Sequence, residues 1–303
     1  MNTVLYYVAG IVAILVIGHL LDRFVWQPKR KREAEAAPRV TLAEAQSFWN
    51  AIEESALPIA KATVQSRAPN SSQESRIGGA PLAIGEDTSW PRDAYDGFPM
   101  VFVAQLNFSE LPHLEGFPTR GVLQIFSSFA IVDDTGACDL VIRWHTDPQT
   151  EELLTIPEEI QKTTRQTRDF SERARRVGLP LIFESDMALG NPYNWPFEAN
   201  DPSMDNRLPE SDEVATIIDE WEARSERIVK GYGDHWVGGH PSFVQVDVRG
   251  SHPECQHLDR VLFHLGYDDD VNLGDSGELN VMISREALML RDFHKAYLTW
   301  DCS

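Results

Sequence analysis

The sequence predicts an α+β protein: two related, mainly antiparallel β halves, helices inserted between them, and one N-terminal transmembrane helix. Three observations predict it. A Gly-Gly-x-Pro turn, an apolar strand and a Gly-led second strand occur twice at equal spacing. Between the copies lie charged stretches with helix start and stop signals. The chain opens on an apolar run of bilayer length.

Residues 1–21 hold no Asp, Glu, Lys or Arg, and residues 4–21 are apolar except for His19. Eighteen helical residues at 1.5 Å each span about 27 Å, close to the hydrocarbon thickness of a bilayer. Tyr6, Tyr7, Phe24 and Trp26 supply interfacial aromatics, and Lys29-Arg30-Lys31-Arg32 follows at once. Met1-Asn2-Thr3 lacks the basic start of a cleavable signal peptide. The expectation is a single-pass anchor over 1–27 in the inner, cytoplasmic membrane. By the positive-inside rule the N-terminus lies outside and the rest in the cytoplasm. A basic and polar linker covers 28–40, and the folded domain 41–303.

Thr41-x-x-Glu44 is a capping box opening an amphipathic helix with Leu42, Ala45, Phe48 or Trp49, Ile52 and Ala56 on one face. Pro58 ends or kinks it. A loop rich in Ser, Pro and Asn covers 67–75. The first copy then opens with Gly78-Gly79-Ala80-Pro81, passes Val101-Phe102-Val103-Ala104-Gln105-Leu106-Asn107-Phe108 and closes on Gly121-Val122-Leu123-Gln124-Ile125-Phe126. The second opens with Gly238-Gly239-His240-Pro241, passes Val261-Leu262-Phe263-His264-Leu265-Gly266 and closes on Gly277-Glu278-Leu279-Asn280-Val281-Met282-Ile283. Gly78 to Val101 and Gly238 to Val261 are both 23 positions. Between the copies, about 146–236 reads as a helical insertion. It comprises a charged helix from Pro157 through Val177 stopped by Gly178, a strand near 179–184, an aromatic loop from Asn191 to about Pro209, and a helix from Ser211.

Ile77-Gly78-Gly79-x-Pro81, Trp90-Pro91, Ala104-Gln105-Leu106-Asn107-Phe108-Ser109-Glu110-Leu111-Pro112 and Phe117-Pro118-x-x-Gly121-x-Leu123-Gln124-Ile125-Phe126 together resemble the YwqG-like family, also called DUF1963. Gly274-Asp275-Ser276-Gly277-Glu278-Leu279, Arg285-Glu286-Ala287-Leu288, Arg291-Asp292-Phe293 and Asp301-Cys302 are similar to that family's ending. The resemblance covers about 77–140 and 237–302. It implies a globular α+β fold and no established activity. YwqG-like proteins resemble components of bacterial toxin–immunity neighbourhoods, which implies an immunity-like or scaffolding role.

The chain of 303 residues is 42% hydrophobic and carries a formal charge of −20. The basic residues near the anchor make the remainder more acidic still. Such a body repels phosphate backbones, which argues against nucleic-acid binding, and favours a basic protein partner or simple solubility. Cys138, Cys255 and Cys302 are odd in number and fit a reducing compartment.

Candidate chemistry is scattered. Gly274-Asp275-Ser276-Gly277 matches the nucleophile turn of chymotrypsin-like proteases, but Glu278 stands where that turn has Gly. His113 and His145 lack the setting of that family's general base, so a turn between strands is the better reading. Asp268-x-Asp270-x-Asn272 begins like a calcium loop, but the required Gly and acid are displaced by one position. His252, Cys255 and His257 are weak zinc candidates whose spacing matches no familiar module. Trp90, Gln105, Trp195, His240 and Asp275 could line a ligand groove between the halves. The competing reading is that the polar ones satisfy backbone groups while the tryptophans fill core.

The leading expectation is a membrane-anchored binding or interaction module without catalysis and without a cofactor. The alternative is a hydrolase in which Asp234, Asp275 or Glu278 beside His235 or His240 supplies acid–base machinery. Oligomeric state is left open.

Overall fold

The computed structural model describes residues 41–84, 89–131, 137–162, 170–191, 194, 196–197, 216, 219–220, 223 and 234–302. The expected anchor and linker, and almost all of the expected helix from Ser211, lie outside them. Among the described residues no helix is long and apolar enough to cross a membrane. The chain divides into two compact units, one of Met1–Ala51 and Asn200–Ala223, the other of Ile52–Ala199 and Arg224–Ser303.

Helix α1, Leu42–Glu54, starts with the expected capping box. The Thr41 N–H donates to Glu44 Oε2 at 2.8 Å, and the Glu44 N–H donates back to Thr41 Oγ1 at 3.3 Å. Ala45, Trp49 and Ile52 are its buried stripe.

Strand β1, Leu57–Val64, follows two residues later and was not foreseen. Pro58 is tolerated because it occupies the second strand position, and Ile59, Thr63 and Val64 favour the extended backbone. The remaining strands are β2 (Arg76–Ile77), β3 (Val101–Asn107), β4 (Val122–Ile131), β5 (Cys138–His145), β6 (Leu179–Ala188), β7 (His235–Gly238), β8 (Arg260–Leu265), β9 (Glu278–Ile283) and β10 (Tyr297–Asp301). Short helices α2 (Glu158–Lys162) and α3 (Glu172–Arg176) precede β6. Helix α4 (Val248–Ser251) precedes β8, and α5 (Arg285–Leu290) precedes β10. The single helix expected from Pro157 to Val177 is interrupted, because Phe170 is extended and bridges Val271. Ser171 Oγ then accepts from the Ala174 N–H to restart the helix.

All ten strands form one sheet in the order β10-β9-β8-β7-β1-β6-β2-β3-β4-β5. Every strand pair is antiparallel. The two ends meet where Ala137 bridges Thr299, so the sheet is nearly a barrel with few helices. The stretch expected as a helical insertion also supplies a central strand, since β6 lies between β1 and β2. Its hydrogen-bonding partners are remote in sequence, which is why local pattern did not reveal its place.

The order reads the same from either end. β2 to β5 is a meander beside β6, and β7 to β10 is a meander beside β1. The pairing of β3 with β4 shifts register between Phe102 and Ala104, and that of β8 with β9 shifts between Val261 and Phe263. Alternate side chains face opposite sides of the sheet. Ile77, Ala104, Leu106, Leu123, Ile125, Val237, Leu265, Leu279 and Val281 belong to the large interior core. The intervening outward residues are buried beneath loops in smaller clusters. Leu82 and Ile84 cover Val122, while Val248, Cys255 and Leu258 cover Met282.

Each meander turns off its first strand through Gly-Gly. Gly78 and Gly79 have φ of +63° and +74°, Gly238 and Gly239 of +86° and +64°. L side chains rarely adopt these angles. A Cβ on Gly78 would also stand 2.3 Å from the Ala174 carbonyl oxygen, and one on Gly238 would stand 2.9 Å from that of Pro58.

Candidate functional site

The outward residues of the two meanders form matching polar rows. Register pairs Arg76 with Gln105, Gln105 with Gln124 and Gln124 with Arg143. Across the sheet it pairs Trp236 with His264, His264 with Asn280 and Asn280 with Thr299. Each row grips the loop after its Gly-Gly corner. Gln105 Oε1 accepts from the Leu82 N–H at 3.1 Å and Gln124 Nε2 donates to the Leu82 carbonyl at 2.7 Å. In the other row Asn280 alone does both for Ser242: Oδ1 accepts from its N–H at 3.3 Å, and Nδ2 donates to its carbonyl. His264 Nδ1 lies 2.9 Å from Asn280 Oδ1, and its ring stacks on Trp236 with centroids 3.5 Å apart. Arg76, only 2% exposed, donates to the carbonyls of Ser72, Glu74 and Ala80, and its burial lowers the guanidinium pKa to about 10.

Of the predicted groove residues, Gln105 is therefore a backbone clamp, with its amide also donating to the Ser72 and Glu74 carbonyls. Trp90 donates to the Met100 carbonyl at 2.8 Å and packs edge-on to Phe126. His240 is partly buried with Nε2 2.8 Å from the Ser55 carbonyl, so Nε2 carries the proton. Burial lowers its pKa, with that hydrogen bond opposing and the charges of Arg249 and Arg260 adding to the fall. Asp275 is exposed on the turn before β9. Trp195 lies outside the described residues.

The other candidates are likewise held by their surroundings. Asp234 pairs with Lys61 at 2.8 Å. His235 Nδ1 accepts from the Gly266 N–H at 3.1 Å, which places the proton on Nε2, facing Asp268 Oδ2 at 3.1 Å. Burial would raise the Asp268 pKa, but the hydrogen bonds from His235 and from the backbone of Asp270 and Val271 prevail and lower it. The calcium-loop oxygens are turned to the chain itself. Asp268 Oδ1 caps the N–H groups of Asp270 and Val271, Asp270 accepts from Ser171 at 2.6 Å, and Asn272 accepts from the Gly274 N–H. Among the described residues no three His, Cys, Asp or Glu groups gather as a metal site. Cys255 is buried beside Val248 and Leu258, His257 is exposed, and His252 Nδ1 faces Glu254 at 3.5 Å.

One feature stands out electrostatically. Register places Glu278 of β9 opposite Asp301 of β10. Glu278 is 6% exposed, and among the described residues neither its Oε2 nor Asp301 Oδ1 has a hydrogen-bond partner. Burial pushes the Glu278 carboxyl up to about 7. A Ser242 hydrogen bond opposes the rise and the Asp301 charge adds to it. Burial also raises Asp301, against backbone N–H donors that include Gln245. His264 Nε2 is 4.0 Å from Glu278 Oε2, beyond hydrogen-bond reach. The group order is serine, carboxyl, histidine, so Ser242 faces no imidazole base as a triad requires. His264 is fully buried and Ser242 is 4% exposed, which leaves a substrate no access. Asp301 was invisible as a partner in the sequence, where it lies 23 positions from Glu278. The repeat did hold a signal: Gly121-Val122-Leu123-Gln124 aligns with Gly277-Glu278-Leu279-Asn280, a carboxylate where the other copy has valine.

A family model described as a domain of unknown function, DUF1963, matches residues 75–302. The chain belongs to the DUF1963 family. No curated protein matches it. The DUF1963 match takes in both meanders and β6, whereas β1, which joins the two sides of the sheet, precedes it.

A cleft lies beside the second Gly-Gly corner. It measures about 200 Å³ and is lined by Leu57, Pro58, Leu114, Glu115, Phe117, Gly239, Arg260 and Arg285. Beside the first corner, between Trp90, Val101, Phe102, Ile160 and Phe170, the corresponding space is only about 10 Å³.

Proposed function

We propose that this DUF1963 chain is a membrane-anchored interaction module, immunity-like or scaffolding in role, whose folded body engages a basic protein partner at the cytoplasmic face without chemistry of its own. One observation carries the reading: of the groups suited to acid–base work, His235, His240 and Asp234 are held by the chain's own groups and Glu278 is buried, which leaves only the exposed Asp275. The net charge of −20 supports a cationic partner, mainly through faster association. The apolar run before Lys29-Arg30-Lys31-Arg32 supports the anchor. The folded part reads as a duplication in which each copy is a helix, a strand and a four-strand meander with a Gly-Gly corner at the end of its first strand. The first strands are exchanged, since β1 pairs with β7 and β6 with β2.

A second reading, a hydrolase using Glu278 as general base, is favoured only by its pKa of about 7.

A photo-crosslinking residue placed at the exposed Glu184 or Asp186 of β6, in the full chain in its source cells, tests the proposal. The expected product is a basic protein at the membrane, bound at least tenfold more weakly after Glu184→Lys with Asp186→Lys and in high salt. Affinity indifferent to both changes would sink it.

A further inference from the structure

The cleft beside Gly239 differs from its counterpart in one decisive way. Arg260 pairs with Ile283 just before the register shift of its meander, as Val101 pairs with Ser127 just before the shift of the first, so Arg260 stands where the first meander has Val101. Where the first meander places Val101, 5% exposed, and its corner is packed nearly shut, the second places an arginine and leaves about 200 Å³ open. A guanidinium is an expensive replacement for a buried valine unless something compensates its charge.

The Arg260 side chain is only 20% exposed. Its Nη1 donates to the carbonyl of Asp259 at 2.6 Å and to the Asp259 carboxylate at 3.2 Å. Nε and Nη2 have no protein partner among the described residues and remain available to a ligand at the wall of the cleft. Arg285, the first residue of α5, is the second cation there. Its backbone N–H donates to the other Asp259 oxygen at 2.8 Å, and its Nη2 reaches Glu115 at 3.0 Å. Asp259 thus ties both arginines to one anchor without occupying the fork of Arg260. Apart from Glu115 and Gly239, the rest of the lining is apolar: Leu57, Pro58, Leu114 and Phe117.

We propose that this cleft is a binding site for a small amphipathic carboxylate. The carboxylate is received side-on by the Nε and Nη2 donors of Arg260 and steered by Arg285, while an apolar body lies on Leu57, Leu114 and Phe117. Paired guanidinium donors match the two oxygens of a carboxylate, and the low exposure of Arg260 strengthens the contact. The volume sets the body: a cavity of about 150 Å³ holds benzene, so this cleft takes one ring with a short acid arm. In so acidic a chain such a site admits anions only through this local pairing. The proposal is independent of the protein partner proposed above.

The test titrates the full chain with 3-phenylpropionate, with its neutral amide and with inorganic phosphate, followed by calorimetry and by the tryptophan fluorescence of the chain. The expected result is saturable binding of 3-phenylpropionate, at least tenfold weaker binding of the amide, and no competition by phosphate at equal concentration. Arg260→Met, which keeps much of the length of the side chain but removes its charge and donors, should abolish carboxylate preference while leaving the circular dichroism spectrum intact. Arg260→Lys, which keeps the charge but loses the fork, should weaken binding at least fivefold and covers the case in which the methionine variant fails to fold. Equal binding of acid and amide, unchanged binding in both variants, competition by phosphate as effective as the acid, or no binding would each overturn the proposal.

Discussion

Replacing Glu278 with glutamine should remove a pH dependence of stability that the fold imposes on this chain. The Glu278 carboxyl is raised from its ordinary 4.5 to about 7, so the folded chain holds that proton more tightly than the unfolded chain does. The corresponding stability is fully present below about pH 4.5 and is lost as pH rises through about 7. A shift of this size corresponds to roughly 3 kcal/mol, at about 1.4 kcal/mol per pH unit. Urea denaturation of the wild type and Glu278→Gln at pH 5 and pH 8 isolates the contribution, because other titrating groups act equally in both. Between these pH values the wild type should lose about 2.5 kcal/mol more than the variant. Asp301→Asn should move the wild-type transition to lower pH, since the Asp301 charge helps raise Glu278. A difference below about 1 kcal/mol between the two slopes would mean that Glu278 titrates as a solvated carboxyl, and would refute the reasoning.

Gly78→Ala should cost several kcal/mol, since it combines a left-handed backbone with a 2.3 Å approach to the Ala174 carbonyl. Gly97→Ala, at φ +70° with nothing within 4 Å, should cost only about 1 kcal/mol, so the two denaturation midpoints separate conformation from contact. Gln105→Leu should cost about 1–3 kcal/mol by leaving the Leu82 N–H buried without its acceptor, read as faster hydrogen exchange at Leu82. Asp268→Asn should flatten the acid limb of stability, because the depressed carboxyl contributes stability that is lost as pH falls through its folded pKa.

The repeated corner was legible because Gly-Gly has a backbone reason that survives in sequence: positive φ at both residues and no room for Cβ. The α1 start was legible for a similar local reason, with Thr41 and Glu44 three positions apart. β1 was not, because Pro58 reads as a helix stop and its value as a strand depends on β6 and β7, more than a hundred residues away. Gln105 and His240 were read from the sequence as lining a ligand groove. Their bonds to Leu82 and Ser55, across turns and loops, are tertiary facts.

The sequence by itself determined the family, the acidic character, the repeat and the turns, all of which rest on composition or on contacts within a few residues. Only the tertiary structure decided that the two meanders flank an exchanged pair of central strands, that Glu278 faces Asp301, and that Arg260 lines an open cleft where Val101 lines a closed corner. The physical reason is common to all three. Register between strands distant in the chain sets which side chains meet and how much water reaches them, and burial then turns an ordinary carboxyl or guanidinium into an unusual one.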